Sequence, residues 1–455
     1  MRSFDVVVIG AGPGGEVAAG RLADAGLEVA IVEDRKVGGE CSFWACMPSK
    51  ALLRPAEALA ESRRIPGAAE AIDGELDAGA VLARRDEVIH DLDDSSQLPW
   101  LEERGITLYR GWGRLDGEKR VVVGDETLAV RRAVVLAGGT TPTMPPIDGL
   151  ADARPWTNRE ATTAKTIPGR LIVMGGGVVG VEMSQAYSSL GSEVTLIEGG
   201  RRLLPREEEF ACEQVTEALE EQGVDIRTGQ TATAVRREDG AVSVTLADGS
   251  VVTGDELLVA VGRSPQVAGL GLESIGLEPD GYVEVDEHAR VAGHDWLYVI
   301  GDINGRAPFT HMAKYQAGIA ADDVLGKDSA VEHGADGPLS PRVIFTDPQV
   351  AAVGHTTRTA QEAGLSPRVI DIPTSGNAGG SFYGRGARGT SRFLVDERRG
   401  VLIGATITGS EVADFVHAAT IAIVGEVPVV RLRHAVPSFP TRSEIWLKLV
   451  EELGS

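Results

Sequence analysis

"FDVVVIGAGPGGEVAAGRLADAGLEVAIVE", residues 4–33, returns later in the chain as "RLIVMGGGVVGVEMSQAYSSLGSEVTLIE", residues 170–198. Gly10, Gly12 and Gly15 match Gly175, Gly177 and Gly180, and Gly26, Glu28, Val29 and Glu33 match Gly191, Glu193, Val194 and Glu198. Every pair is displaced by the same 175 − 10 = 165 residues. A lone GxGxxG says little. Here each copy follows a Val/Ile-rich strand, opens an Ala- or Ser-rich helix and leads to a second strand that ends in Glu, which is the context a dinucleotide fingerprint needs. The first glycine permits the tight turn and the second lets a pyrophosphate approach the backbone. The third lets helix and strand pack closely, with the phosphates on the helix N-terminus. The terminal Glu accepts hydrogen bonds from a ribose. Two such units predict an α/β protein with two doubly wound, Rossmann-like domains, and two dinucleotides in one chain suggest electron transfer between a flavin and a nicotinamide. The glycines alone do not say which copy takes which.

With 455 residues the chain is too long for one core, so several domains are expected. Apolar residues make up 43% of it, with 57 glycines and 9 Phe, as in a glycine-rich α/β protein. A net charge of −23 argues against nucleic acid or an anionic membrane surface as a partner. Three cysteines are too few for a disulfide-stapled scaffold. The start, "MRSFDVVVIG", reads as a buried strand running into a glycine loop rather than a signal peptide, and no apolar run is long enough to span a membrane. A cytoplasmic location is expected, where thiols stay reduced.

The rest of the chain fits around the repeat. Residues 51–64 and 75–105 have helical periodicity. "RRAVVLAGGTTPTMPPIDGL" (131–150) is a strand with a Gly/Pro-rich exit, and "DELLVAVGRSPQVAGLGL" (255–272) repeats that pattern. "WLYVIGDINGRAPFTHMAKYQAGIAADDVLG" (296–326) reads as strand, acidic turn and helix. From about 341 the pattern shifts to strands such as "RFLVD" and "VLIGATITG" followed by helices, a separate α+β domain. The expected division is 1–150 with 271–340 as an FAD-binding and central domain, 151–270 as an NAD(P)-binding domain and 341–455 as a dimerisation domain.

Two of the cysteines, Cys41 and Cys46, lie in "GGECSFWACMPSK" (38–50). They admit three readings: a structural pair, a metal site or a working disulfide. A zinc site needs two further Cys or His ligands. The third cysteine, Cys212, lies in the acidic helix "REEEFACEQVTEALEEQG" and reads as a packed thiol. No metal is expected.

Taken together, the motifs resemble the FAD-dependent pyridine nucleotide–disulfide oxidoreductases, the class that includes lipoamide dehydrogenase, glutathione reductase and mercuric reductase. The resemblance rests on "GAGPGG", "GGxCxxxxCxPSK", "GGGVVGVE", "VGRSP", "YVIGD" and "VIFTDPQVAAVGHT", and runs over essentially the whole chain. It implies FAD on the first fingerprint and a nicotinamide on the second. It gives Glu33 the FAD adenosine ribose and Asp302 the ribityl chain. Gly14, Gly39, Gly138 and Gly262 join the cofactor-binding residues on the same ground. Glu198 favours NADH, because a carboxylate repels a 2′-phosphate; Arg201 and Arg202 leave NADPH open. By resemblance Cys46 is the flavin-side charge-transfer thiolate and Cys41 the interchange thiol. Both sit on one helix start, whose N-terminus lowers both thiol pKa values. Lys50 approaches the flavin and pairs with Glu182. The class forms homodimers.

The chain departs from the class in two places. Glu40 stands before Cys41, where the class has a small hydroxyl residue, and the bulky Ser-Phe-Trp run fills the space between the cysteines. At the C-terminus the class carries H-x-H-P-T-x-S-E, whose second His, oriented by the Glu, shuttles protons to the partner subunit's interchange thiol. Here Pro440, Thr441, Ser443 and Glu444 are kept, Phe439 occupies the His position and Pro437 the other. Phe cannot carry a proton, and thiolate exchange needs an acid for the leaving sulfur. His434, five residues upstream, reads as a surface or packing residue. The expected activity is therefore electron transfer from NADH through FAD and a Cys41–Cys46 disulfide to a small acceptor, quinone-like or a non-standard disulfide. The alternatives are a dihydrolipoamide dehydrogenase-type reductase with a replaced proton shuttle, a carbanion-forming carboxylase of the class, and, outside enzymes, an FAD-binding scaffold subunit.

Overall fold

The strand Val29–Glu33 is buried along its whole length. A strand buried on both faces must be covered by helices on both sides, the setting of a parallel sheet. The computed structural model describes residues 2–332, 334 and 336–454. In it Val29–Glu33 and four other strands form the parallel core of a sheet in the order Thr107–Arg110, Val29–Glu33, Arg2–Ile9, Glu126–Leu136, His294–Val299. Antiparallel strands Arg290–Val291, Arg120–Val123 and Gly113–Leu115 extend it. Helices Pro13–Asp24 and Thr310–Val324 pack together, and Ala18, Leu22, Ala317 and Ala321 are buried with Val8, Ile31 and Val135 of the sheet. These elements make up one compact unit, residues 1–48, 86–142 and 263–337.

The second unit comprises residues 49–85, 143–262 and 338–455. Its first sheet is parallel, in the order Asp225–Thr228, Glu193–Glu198, Arg170–Met174, Glu256–Val259. The helix Val178–Ser189 covers it, burying Val181, Ala186 and Tyr187. An antiparallel trio, Ala232–Glu238, Ala241–Leu246 and Val251–Gly254, lies beside it in sequence. The C-terminal part is a five-stranded antiparallel sheet in the order Arg342–Ile344, Gln349–Gly354, Val401–Gly409, Thr390–Asp396, Arg368–Pro373, with helices Phe415–Val424 and Ile445–Glu452. The fold is thus α/β with two doubly wound parallel sheets and a C-terminal α+β part. No helix among the described residues is long and apolar enough to cross a membrane.

Candidate active site

The two fingerprints fold into the same atomic arrangement. Gly10 and Gly175 turn the chain at φ +105° and +108°, and a Cβ on either would lie 2.4 Å from a carbonyl oxygen, Ala137 O or Ala260 O. At Gly15 and Gly180 a Cβ would fall 1.9 and 1.8 Å from the carbonyl oxygens of Gly10 and Gly175, so no other residue fits. Gly12 and Gly177 differ: a Cβ there would meet only Gly39 Cα, 4.0 Å away, in the first copy and nothing in the second. That leaves open space at the starts of helices Pro13–Asp24 and Val178–Ser189, which have glycine N-caps and no capping side chain. Uncapped N–H groups facing open space suit a pyrophosphate.

The acidic strand ends match as well. Glu33 accepts from Ala11 N and Arg35 N, both at 2.8 Å, and Glu198 from Gly176 N at 2.6 Å and Gly200 N at 2.5 Å. Each carboxylate is oriented beside its glycine loop. Burial raises the Glu33 carboxyl above its ordinary range, against the pull of the Ala11 and Arg35 amides. Arg202 reaches its own acidic neighbours, with Glu209 at 3.8 Å and Glu207 O at 3.5 Å.

The cysteine pair corrects one expectation. Cys41 and Cys46 do not share a helix start. Cys41 lies in the five-residue helix Gly39–Phe43, Trp44 leaves the helical region at φ −135°, and Cys46 opens the helix Cys46–Arg64. Gly38 and Gly39, both at positive φ, set the start of the short helix, and Phe43, which is buried, anchors it. The two sulfurs are thiols, and Cys41 is not lowered as expected: its pKa is raised, first by a hydrogen bond with Cys46 and then by burial. Two adjacent thiols share protons, so only one of them readily ionises. Thr310, at the start of Thr310–Val324, places Oγ1 3.3 Å from Cys46 Sγ. Thr310 and Lys314 both pull the Cys41 thiol down. Neither residue stands out in the sequence, because only the tertiary fold brings that helix to the cysteines. Cys212 is a packed thiol, buried, donating to Leu204 O at 3.2 Å and pushed up to about 11 by burial.

Asp302, in the turn Gly301–Asn304 that follows the strand His294–Val299, accepts from Thr140 Oγ1 at 2.9 Å, and Arg263 Nε donates to the same Thr140 oxygen at 2.7 Å. Burial raises the Asp302 carboxyl; Glu40 adds to the rise, and Thr140 and Arg263 oppose it. Gly138 lies close by, where a Cβ would stand 3.5 Å from Gln266 O and from Ile303 Cδ1.

In the second unit Lys50 Nζ donates to Glu182 Oε2 at 2.8 Å. Glu182 is 3% exposed, and its other oxygen accepts from Phe345 N at 2.9 Å. The Phe345 ring lies 4.7 Å beneath the Lys50 ammonium. One carboxylate is thus held from two directions, and Phe345, inside the quoted stretch "VIFTDPQVAAVGHT" but given no role there, is a supporting residue. Gly262 turns at φ +137°.

The C-terminal stretch carries its residues outward. Phe439 is 76% exposed, and His434 is exposed too. Glu444 Oε2 is buried and has no hydrogen-bond partner among the described residues. Ile421, Val430, Val436 and Leu447 are further exposed apolar side chains of this part. Among the described residues no cluster of three or more His, Cys, Asp or Glu could hold a metal ion.

Known proteins resemble this chain over nearly its whole length. The family model for pyridine nucleotide-disulphide oxidoreductases matches residues 4–317, and the model for that family's dimerisation domain matches 340–450. Dihydrolipoyl dehydrogenase of Thermus scotoductus is 33% identical, covering 100% of this chain and 98% of its own length. That of Haloferax volcanii is 31% identical, covering 98% and 95%. Among solved structures, the Cu(II) complex of the HOCl-induced flavoprotein disulfide reductase RclA from Escherichia coli superposes at a TM-score of 0.87 with 25% identity, covering 99% of both chains. LpdA from Mycobacterium tuberculosis gives 0.87 and 25%, covering 100% of both.

Proposed function

Because the chain belongs to the pyridine nucleotide-disulphide oxidoreductases, flavin- and pyridine nucleotide-dependent enzymes, we propose that it passes electrons from NADH through FAD and the Cys41–Cys46 pair to a small acceptor. The observation that carries this reading is the conjunction, in one chain, of two open fingerprint cradles and a thiol pair held against Thr310. The proposed division of labour follows the segments 1–150 with 271–340 for FAD, 151–270 for the nicotinamide and 341–455 for homodimer formation, in a cytoplasmic protein.

FAD, when bound, relays the hydride's two electrons to the sulfur pair. In this reading the helix beginning at Pro13 and the helix beginning at Val178 receive the two pyrophosphates, and Gly14, Gly39 and Gly138 let the chain segments that build the FAD cradle pack closely. Glu33 takes the adenosine ribose and Asp302 the ribityl chain. Glu198 takes the nicotinamide nucleotide's ribose and prefers NADH to NADPH; Arg202, turned to Glu207 and Glu209, is poorly placed to offset it. Gly262 keeps the nicotinamide entrance clear. Lys50, fixed by Glu182, supplies the positive charge that polarises the hydride-accepting ring. Cys46 is the thiolate on the flavin side, and Cys41 exchanges with the acceptor.

The acceptor must tolerate Phe439 in place of an imidazole, which supports a quinone-like compound or a non-standard disulfide. A metal ion is a second reading, because it takes electrons without a proton; the RclA neighbour was solved with Cu(II). The test is an anaerobic NADH titration followed by turnover with lipoamide, glutathione disulfide, menadione and Cu(II). Two new alkylatable thiols at Cys41 and Cys46 are expected on reduction. Unchanged thiols, with the flavin bleached, would remove the sulfur pair from the route.

A further inference from the structure

The helix that carries Cys41 starts between the starts of two others. At Gly39, just before Cys41, a Cβ would lie 2.7 Å from Gly12 Cα; at Gly14 one would lie 3.2 Å from Ala313 Cβ. The first turns of Pro13–Asp24, Gly39–Phe43 and Thr310–Val324 therefore converge. On the last helix Thr310 and Lys314 are four residues apart and share a face. Thr310 Oγ1 touches Cys46 Sγ at 3.3 Å, and Lys314 acts electrostatically on both Cys41 and Glu16.

Glu16 lies in the first turn of Pro13–Asp24. Its Oε1 is buried, with no hydrogen-bond partner among the described residues. An orphaned buried carboxyl oxygen costs stability, and its persistence calls for an explanation. None of the roles above uses it.

We propose that Glu16 stores and returns the proton exchanged at the Cys41–Cys46 pair, with Lys314 as relay, in place of the imidazole that Phe439 displaces. This rests on the disulfide-reductase reading. When the reduced pair, Cys41 as thiol and Cys46 as thiolate, reduces an acceptor, disulfide or quinone-like, one S–H bond breaks, one S–S bond forms, and two electrons pass to the acceptor with two protons, one from Cys41 and one from solvent. The ionised Glu16 takes the Cys41 proton as that sulfur becomes the nucleophile, and its carboxyl hands the proton on to the reduced acceptor. The second proton exchanges with solvent. Burial pushes Glu16 up to about 7, so it can both hold and release a proton at neutral pH. Lys314 opposes that rise from the facing helix, and Glu33 adds to it from its strand end. On the sulfur side Cys46 and burial raise Cys41, while Thr310 and Lys314 lower it; Glu40, next in sequence to Cys41, faces Asp302.

The test uses the FAD-loaded homodimer. Cys41 alkylation by iodoacetamide after NADH reduction, and kcat/KM for lipoamide and menadione, are followed from pH 5 to 9. The wild type should show an inflection near 7 in both. Glu16→Gln should abolish it and lower kcat/KM by roughly 10²-fold at neutral pH, the low end of a general acid–base contribution. Glu16→Asp should keep an inflection, and Lys314→Met should move it upward. A Glu16→Gln profile that retains the inflection overturns the proposal. If that variant does not hold FAD, an unmoved inflection in Lys314→Met overturns it instead. A wild type in which NADH exposes no new thiols overturns the reductase reading and this proposal with it. New thiols together with an unchanged Glu16→Gln profile sink only the role of Glu16.

Discussion

Glu182→Gln isolates the ion pair with Lys50. The substitution keeps the shape and an oxygen for Phe345 N, but removes the charge that holds the ammonium at 2.8 Å. At that separation the gross attraction is roughly 6 kcal/mol for an effective dielectric of about 20. Most of it is offset by the desolvation of Glu182, which is 3% exposed, and the 34% exposure of Lys50 lets water replace part of the rest. The net loss should be about 1–2 kcal/mol, since exposed pairs give less than 1 and fully buried ones 3–5. The Phe345 ring, 4.7 Å from the ammonium, retains part of the hold on Lys50. If Lys50 must stay fixed for hydride transfer, the first-order rate of flavin reduction by NADH should fall roughly tenfold, since 1.4 kcal/mol is a factor of ten. Stopped-flow mixing with NADH measures the rate, and urea denaturation of the same protein measures the stability. Lys50→Met should slow reduction at least as much, because it removes the cation itself. The reasoning fails if Glu182→Gln loses the expected stability yet reduces its flavin at the wild-type rate. The pair would then be structural only.

Four further outcomes are expected. Phe439→His should raise lipoamide turnover by roughly 10²-fold if the unpartnered Glu444 oxygen can orient the ring; steady-state kinetics decides it, and a wild type already turning over lipoamide at hundreds per second refutes the premise. NADH should exceed NADPH in kcat/KM by about tenfold, about 1.4 kcal/mol, and Glu198→Gln should narrow the gap. Gly180→Ala, whose Cβ would stand 1.8 Å from Gly175 O, should abolish reduction by NADH, while flavin content, read by absorbance, is retained. Finally, burial raises the Glu16 carboxyl from 4.5 to about 7, so its contribution is fully present below pH 4.5 and lost as pH rises through 7. That gap is worth up to about 3 kcal/mol, so in urea titrations Glu16→Gln should match the wild type near pH 4.5 and exceed it at pH 8.

The parts of the protein that handle electrons and those that handle protons differ in how far the sequence reveals them, and the reason is physical. A fingerprint is local. Strand, turn, helix and second strand lie within thirty residues, and glycine is the only solution at Gly10 and Gly15, so the pattern in the letters is the pattern in space. The 165-residue repeat accordingly reappears as matched hydrogen bonds at Glu33 and Glu198. The sulfur pair was legible as a pair but not in its geometry, because no local pattern marks the break at Trp44 between the short helix that buries Phe43 and the helix that Cys46 opens. The roles of Thr310, Lys314 and Phe345 were not legible, although Phe345 lies in a stretch that carries the family resemblance. Each reaches its partner over more than one hundred and sixty residues of chain, and no periodicity encodes such a meeting. Glu16 stands between these cases. It sits inside the most readable motif of the chain, as an acid one position past the third glycine, in the helix turn that otherwise favours anions. A carboxyl there works against anion binding unless it carries a proton. The local rule that identifies the first fingerprint therefore also singles out Glu16 as the acid proposed to titrate, and the fold adds what the rule lacks, the lysine that acts on both this acid and Cys41.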